Sequence, residues 1–403
     1  MAPRGRAEEN SSPAIGGRVS GLDQELGEGL LRRVQALAFP RAAGSEGDAR
    51  VRRLLSEGLR AAGWRVREDR FAYSLKRPWA LLRAGLASLA AALAAGAAAV
   101  AGAPHAGAWC AGAAGLAALG IAGAAAGVRW DSLYFAPPGE LCTANVVADA
   151  GGGPVRILLV AHHDSKSQNL PLLLRGFLVA AGAAGAVSLA AAAIQWALFG
   201  VPARLLAGVT AAGALSLAAL ATLTFGNRSP GALDNAASLA VLLELARRLA
   251  GPEGPPAGVR LVLTGAEEHL MAGARRLAAD RSLRSAREPL VLNLDGVGAP
   301  GPVGVAGERS LRRRVLRLAR EAGIPARRAP LPPGTGTDAL PLAWAGLRAV
   351  TLTSGRLSRA VLRVHSPADR PDGLDAASLA AAFRLTERCV REILAARDGD
   401  GAG

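Results

Sequence analysis

A chain of 403 residues has room for one sizeable α/β domain and for additional segments. The composition shows where the extra length goes: 51% of the residues are apolar although only 4% are aromatic, and the excess lies in long tracts of Ala, Gly and Leu. The formal charge of +15 comes from Arg spread through the chain, with no basic run interleaved with aromatics, so we expect no nucleic-acid partner. The cysteines Cys110, Cys142 and Cys389 are too scattered for a disulfide framework or a Cys-based zinc site.

The first part of the chain predicts a polar tail followed by the start of an α/β domain at 23–75. Residues 1–22 contain Gly, Ser and Pro and lack the apolar core of a signal peptide, so we expect them to be disordered. Ser45, with Asp48 three residues later, resembles a capping box and predicts a helix that ends near Gly63. The stretch Trp64–Tyr73 then alternates in a way that suggests a strand.

Four long uncharged tracts predict two transmembrane hairpins, at 76–129 and 176–226. The tracts at 84–103 and 106–128 are separated only by Pro104 and His105, and a second pair follows at 176–201 and 205–226. A membrane-spanning helix needs about 20 apolar residues, which each tract supplies. Buried Ala-rich helices of a soluble domain are the alternative. Because the tracts come in two tight pairs, we predict a multi-pass membrane protein with four transmembrane helices and the lipid bilayer as a partner.

The segment 130–175, between the two hairpins, contains an apolar strand that ends in polar residues. Ile157–Ala161 is typical of a strand buried on both faces of a parallel sheet, and it leads into His162, His163 and Asp164. Ligand crevices lie at the carboxyl ends of such strands, so a His-x-Asp is well placed there to bind a metal. Taken alone, the motif is a weak signal, and a turn capped by polar side chains is the better interpretation.

Acidic residues and histidines recur at similar places in the second part of the domain, 227–396. The run 261–264 leads to Glu267 and Glu268, and the run 290–294 leads to Asp295. Asp234 precedes an apolar stripe that predicts a helix starting near it, and His365 follows late in the chain. Two His, two Asp and one Glu, with one further carboxylate left free for proton transfer, suit a pair of zinc ions.

With these five separated motifs in order, the chain from about Arg41 to Asp372 resembles the zinc aminopeptidase family M28. The resemblance implies two Zn²⁺ ions and a peptide substrate. It implies the metal ligands His162, Asp234, Glu268, Asp295 and His365, with Asp234 as the bridging carboxylate. Asp164 resembles the residue that orients His162, and Glu267 resembles the general base that takes a proton from water.

Two departures from the family pattern stand out. His269 follows Glu268 where the family usually continues with Gly, and we expect it to be a surface histidine, with a spare metal ligand as the alternative. Gly336-Thr337-Asp338 resembles a Ser-Asp pair found near the metals, with Thr in place of Ser and Ala339 where His is common. Asp338 remains a candidate for contact with the ligands.

The rest of the domain alternates strands and helices. We expect strands at 145–148, 261–264, 289–294, 303–306 and 349–353, helices at 310–322 and 374–396, and a tail at 397–403. The predicted fold is therefore α/β, a mixed and mostly parallel sheet flanked by helices and interrupted by the two transmembrane hairpins.

These features together predict a membrane-bound dinuclear zinc metallopeptidase, and an aminopeptidase in particular. A carboxypeptidase or cyclase with the same site, or a membrane scaffold whose peptidase-like domain only binds, are the alternatives. The sequence leaves open the residue preference, the oligomeric state and the metal used in the cell.

The distribution of basic residues predicts that the domain lies in the cytoplasm. Seven Lys and Arg flank the hairpins on the domain side, whereas the hairpin turns carry only Arg204. These seven are Lys76, Arg77, Arg83, Arg129, Lys166, Arg175 and Arg228. The lack of a recognisable signal peptide agrees with this placement. Against it, membrane-anchored members of the family generally face outward.

Overall fold

The computed structural model describes residues 21–102, 106–135, 137–151, 153–199, 204–284, 289–331 and 335–395. The predicted disordered segment 1–22, apart from its last two residues, lies outside these ranges. The tail 397–403 and the hairpin turns at Pro104-His105 and Pro202 also lie outside them.

The described helices lie before, between and after the strands of one large sheet. They are α1 (Gly21–Leu37), α2 (Glu46–Ala61), α3 (Lys76–Val100), α4 (Ala106–Arg129), α5 (Ser132–Phe135), α6 (Leu172–Phe199), α7 (Arg204–Ala221), α8 (Ala237–Leu249), α9 (Ala272–Ala278), α10 (Arg309–Glu321), α11 (Ala339–Trp344), α12 (Arg359–Arg363) and α13 (Ala376–Ala395).

The sheet has eight strands, and its middle is parallel. The described strands are β1 (Arg65–Tyr73), β2 (Leu141–Asp149), β3 (Ile157–His162), β4 (Ser167–Gln168), β5 (Phe225–Gly226), β6 (Val259–Thr264), β7 (Leu290–Leu294), β8 (Val303–Gly307), β9 (Ala326–Arg328) and β10 (Ala349–Ser354). The strand order is β1-β2-β6-β3-β7-β10-β8-β9, and β4 pairs with β5 separately. The four central strands β6, β3, β7 and β10 run parallel, so their carboxyl ends lie at one edge.

Strand β3 shows why the sheet is covered on both faces. All six of its residues are buried. Ile157 and Leu159 pack in the core formed with α1, α2, α8, α10 and α13, whereas Leu158 and Val160 pack in a second core with α9 and α11. A strand with apolar side chains on both faces needs helices on both sides, which explains the layered α/β architecture.

The predicted mixed, mostly parallel sheet is confirmed, and the strands and long helices lie within a few residues of the predicted ranges. The structure differs from the prediction in short elements and in elements that the sequence pattern did not indicate. Helix α1 was not predicted, and its apolar side chains Leu30 and Val34 are fully buried in the larger core. The helix expected to start near Asp234 begins at Ala237, because Asp234 has the non-helical backbone angles φ −120° and ψ 83°.

Four helices are long and apolar enough to cross a membrane: α3, residues Gly112–Arg129 of α4, residues Leu172–Gln195 of α6, and α7. Helix α3 packs against α4, α6 and α7. Glycines allow the close approach: Gly85 lies against Gly120 and Ala124, and Gly185 lies against Gly213. Small residues at helix contacts are typical of membrane proteins, where close backbone packing stabilises helix association.

The contact between Gly185 and Gly213 gives a test of this packing. A Cβ atom at Gly213 would lie 2.7 Å from the Cα atom of Gly185. We expect Gly213→Leu to lower the free energy of unfolding of the detergent-solubilised protein by about 1–3 kcal/mol, because overpacking forces the helices apart. Its melting temperature should fall accordingly. Gly208→Leu is the matched control, since nothing lies within 4 Å of a Cβ atom at Gly208 in the same helix. Equal melting temperatures for the two variants would contradict the packing.

Candidate active site

The end of strand β3 places His162 and Asp164 at the edge of the sheet, and both side chains are buried. The Asp164 carboxylate accepts hydrogen bonds from the backbone N–H groups of Glu267 and Glu268, at 3.0 and 3.1 Å. Its Oδ1 atom also lies 3.6 Å from Nδ1 of His162. Although burial opposes ionisation, the interaction with His162 lowers the pKa of Asp164 to about 2. Asp164 therefore fixes the ends of two strands relative to each other.

The loop after β6 presents Glu268 to His365. The Oε2 atom of Glu268 lies 3.1 Å from Nε2 of His365 and 2.8 Å from Nζ of Lys166. The neighbouring Glu267 points to the other histidine, with its Oε2 atom 4.0 Å from Nε2 of His162. Burial, together with the nearby carboxylates of Asp295 and Glu268, raises the pKa of Glu267 well above its usual value.

Asp234 lies between the two histidines. Its Oδ1 atom is 3.0 Å from Nε2 of His162, and its Oδ2 atom is 3.0 Å from Nε2 of His365. The turn that carries it is held by Asp369, whose carboxylate accepts hydrogen bonds from the backbone N–H groups of Leu233 and Asp234, at 2.8 and 3.2 Å. Each carboxylate oxygen of Asp234 thus faces a different imidazole.

Asp295 follows strand β7, and its Oδ1 atom lies 3.7 Å from Nε2 of His162. Asn235 holds this strand end in place. Its side-chain amide donates to the carbonyl oxygen of Leu294 at 3.0 Å and accepts from the backbone N–H of Gly296 at 3.2 Å. The residue after Asp234 therefore fixes the position of the residues on either side of Asp295.

These side chains form two groups that share Asp234. One group is His162, Asp234 and Asp295, the other is Asp234, Glu268 and His365, and within each group the ligand atoms lie within 4.8 Å of one another. Buried Oε1 of Glu268 has no hydrogen-bond partner among the described residues, and buried Nε2 of His162, although 3.0 Å from Oδ1 of Asp234, makes no hydrogen bond of good geometry there. Unpaired buried nitrogen and oxygen atoms are costly, and imidazole with carboxylate is a donor set that zinc accepts. The residues present therefore fit metal ions.

His269 does not lie on the surface, so that expectation was wrong. Its ring is half-buried between aromatic side chains, with Nδ1 2.6 Å from the hydroxyl oxygen of Tyr73 and its centroid 6.4 Å from that of Phe225. Burial lowers the pKa of His269, which favours the neutral ring. It belongs to neither of the two groups of metal-binding side chains, so it packs beside the site.

Asp338 is buried behind the site. Its carboxylate accepts a hydrogen bond from the Thr264 hydroxyl at the end of β6, and burial raises the pKa of Asp338 to about 7. Thr337 bonds to Thr351 on strand β10, with 3.0 Å between the two hydroxyl oxygens. The Thr337-Asp338 pair thus supports strand ends, and no hydrogen bond from it to a predicted ligand is present among the described residues.

Sequence reasoning missed two residues that hold the site together. Asp369 lies four residues after His365 in the sequence, and this spacing was the available signal for its role. Arg41 is fully buried, and its guanidinium donates to the carbonyl oxygens of Phe39, His163, Pro230 and Gly231. Because three of these four partners are more than 100 residues from Arg41 in sequence, no local pattern marks it.

Comparison with known proteins agrees with this geometry. Residues 214–390 match the family model described as Peptidase family M28. The matched segment contains Asp234, Glu267, Glu268, Asp295 and His365 and begins after His162. A search of curated proteins found no match.

Several solved structures share the fold. A zinc aminopeptidase from Bacillus subtilis aligns over 91% of this chain and 94% of its own, with 14% identity and a TM-score of 0.52. A glutaminyl cyclase from an Acidobacteriales bacterium aligns over 97% and 99%, with 17% identity and a TM-score of 0.52. A leucine aminopeptidase precursor from Bacteroides thetaiotaomicron aligns over 92% and 97%, with 14% identity and a TM-score of 0.51. At these identities the chain shares the fold with proteins of more than one activity.

The two groups of side chains predict different metal losses. If Asp234 binds two ions, Asp234→Ala should lose both, because repulsion between two dications about 4 Å apart is no longer offset. His365→Ala should weaken chiefly one. Elemental analysis of the purified variants measures this directly. One full equivalent retained in Asp234→Ala, with both lost in His365→Ala, would contradict a shared carboxylate.

Proposed function

We propose that this protein is a membrane-bound metallopeptidase that holds two zinc ions and hydrolyses peptide bonds, with the amino-terminal bond of its substrate as the target. The observation that supports this most is the shared position of Asp234 between His162 and His365, with Glu268 and Asp295 completing the two groups. The match of residues 214–390 to the M28 family model supports a hydrolase acting on peptides. The zinc requirement, the number of ions and the exopeptidase action belong to the proposal.

Glu267 is suited to proton transfer. Its side chain is 8% exposed, it lines the cavity over the ligands, and it belongs to neither metal-binding group. Bound zinc makes water more acidic and stabilises negative charge that develops on the carbonyl oxygen. Glu267 takes the proton of the attacking water and delivers it to the leaving amine, a role that a carboxylate outside both ligand groups can serve.

Two alternatives remain distinct proposals. Cyclase action on the same ligand set is favoured by one observation, the shared fold of a glutaminyl cyclase. A non-catalytic scaffold is disfavoured, because a protein that only binds has no need to hold five ligand-type side chains and a free carboxylate within a few ångströms. Hydrolysis of a peptide, with release of two products, separates the peptidase from both.

The lipid bilayer is proposed as the second partner. Side chains on the outer faces of the apolar helices are large, apolar and exposed, among them Ile121, Val187, Ile194 and Leu215 at 62–74% exposure. Apolar surface of this extent requires cover, and four helices of sufficient length make lipid the cover that fits. The first turns of α3 and α6 also line the cavity over the site, so the site opens near the membrane surface.

Cytoplasmic placement of the domain is proposed from the exposed charges. Of the seven basic residues on the domain side, Arg83, Lys166 and Arg175 line the cavity and count less toward orientation. Four exposed basic residues are left on the domain side: Lys76, Arg77, Arg129 and Arg228. The far end of the second hairpin carries one, Arg204. The excess of exposed positive charge on the domain side keeps that side in the cytoplasm.

Substitution of the proposed base should separate catalysis from metal binding. We expect Glu267→Gln to lower kcat at least about 100-fold, the usual contribution of a general base, while metal content stays near that of the native protein. Glu253→Gln, at an exposed glutamate after α8, is the control and should keep full activity. Near-normal turnover or loss of both metals in Glu267→Gln would show that the base has been wrongly assigned.

The orientation has its own test. Cys142 is exposed on strand β2 and reports on the domain, and Ala101→Cys in a cysteine-free background reports on the far end of α3. In intact cells we expect an impermeant thiol reagent to label the residue-101 cysteine, and to label a protein with Cys142 as its only cysteine after permeabilisation alone. Labelling of Cys142 in intact cells, without labelling at residue 101, would place the domain outside.

A further inference from the structure

A cavity of about 570 Å³ lies between the predicted metal ligands and the apolar helices. Its outer wall comes from the first turns of α3 and α6 and from the end of α7 and the residues after it. The apolar side chains in this wall are Trp79, Leu82, Leu86, Val179, Leu220 and Leu223. Charges that face an apolar wall are poorly screened, so electrostatic selection of a substrate is strong there.

The charged residues that line this cavity fall into two sets, carboxylates that belong to the proposed metal site and cations that do not. Every carboxylate among the described lining residues is a predicted ligand or the proposed base: Asp234, Glu267, Glu268 and Asp295. The other charged lining residues are all cations: Arg83, Lys166, Arg175, Arg327 and Arg356. Within the described lining, no carboxylate is left over to pair with a positively charged group of a substrate.

The two arginines on the apolar helices have neutral hydrogen-bond partners. In α6, Nη1 of Arg175 donates to the side-chain oxygen of Gln168 at 3.2 Å, and the backbone N–H of Gln168 donates to the carbonyl oxygen of His365 at 3.0 Å. In α3, Nη2 of Arg83 donates to the carbonyl oxygen of Leu223 at 2.8 Å. No ion pair within 4.0 Å involves either arginine in the described part of the chain.

Lys166 differs, because it has a carboxylate partner that the proposed metals would also use. Its ammonium lies 2.8 Å from Oε2 of Glu268 and 4.8 Å from the centroid of the Phe225 ring. The reasoning here rests on the proposed function: two dications would balance the four carboxylates of the cavity. Lys166 and Arg175 would then carry positive charge without a compensating anion in the protein. A buried or half-buried cation without a neighbouring anion favours the binding of an anionic ligand.

We propose that Arg175, with Arg83 and Lys166, binds a carboxylate of the substrate, so that the enzyme prefers peptides with a negative charge close to the scissile bond. Cations inside apolar helices are costly in a membrane and are retained where they face a cavity and serve a function. The carboxylate has two possible sources, the carboxyl terminus of a short peptide and an acidic side chain. Both present the planar, paired oxygens that a guanidinium recognises.

Matched neutral and anionic peptides test the proposal in the metal-loaded, full-length protein. Leu-Leu is compared with Leu-Leu amide to test a terminal carboxylate, and Leu-Glu amide is compared with Leu-Gln amide to test an acidic side chain. Calorimetric binding to the Glu267→Gln protein is measured beside kcat/KM of the native enzyme. We expect one anionic peptide to exceed its neutral partner at least about tenfold in both measurements, the usual difference made by a charge-assisted hydrogen bond.

The variants ask whether the arginine causes the preference. Arg175→Gln should bring the ratio for the preferred pair close to one, chiefly through KM, and Arg175→Lys should retain part of it. Arg83→Gln should also lower the ratio of the anionic to the neutral peptide. The metal content of each variant shows whether it has folded. Arg77→Gln, at an exposed arginine in the first turn of α3, is the control and should keep the native ratio.

The outcomes are separable. Equal binding and turnover of both members of each pair would overturn the carboxylate proposal and leave the peptidase proposal intact. An unchanged ratio in Arg175→Gln and Arg83→Gln would also overturn it. If no peptide is hydrolysed the peptidase proposal fails, and calorimetry still decides whether anionic peptides bind better.

Discussion

Repulsion between carboxylates is the constraint on which the site depends. Asp234, Glu267, Glu268 and Asp295 are brought together at one edge of the sheet, where burial makes their mutual repulsion strong. Among the described residues, the backbone N–H groups of the loops that carry Asp234, Glu267 and Glu268 do not bond to these carboxylates. They donate to Asp164 and Asp369 instead, and these bonds fix the loops. The carboxylates are left facing imidazoles and Lys166, a balance that metal ions would complete. The same clustering that is unfavourable without cations would thus favour their binding.

The second hairpin disturbs this arrangement little because it is closed at its base. The second hairpin separates His162 from Asp234 in sequence, and the pairing of β4 with β5, through Ser167 and Gly226, brings the chain back together. Asn169 adds two hydrogen bonds across the same base, to the carbonyl oxygen of Thr222 and from the backbone N–H of Thr224. A long insertion whose ends meet costs little in loop closure. The two groups of candidate ligands can therefore meet as if the insertion were absent.

Much of the sheet and of the site was predictable from the sequence because both depend on local patterns. Apolar runs such as Ile157–Ala161 marked buried strands, and polar residues directly after them marked the edge where His162, Glu268 and Asp295 meet. Arg41 and the backbone turn at Asp234 were not predictable, since each depends on partners brought close only by the fold. His269 was misjudged for a related reason. Its burial comes from Tyr73 and Phe225, which are distant in sequence.

The position of the cations links the hairpins to the chemistry. An anchor needs only apolar length, and a charge within it reduces the stability of the inserted helix. Arg83 lies two turns into α3 and Arg175 in the first turn of α6, and both line the cavity over the ligands. The hydrogen bonds from Arg175 to Gln168 and from Gln168 to His365 connect α6 to the ligand cluster directly. Helices that supply one wall of the cavity, and the positive charges in it, therefore belong to the candidate site as well as to the apolar part of the chain.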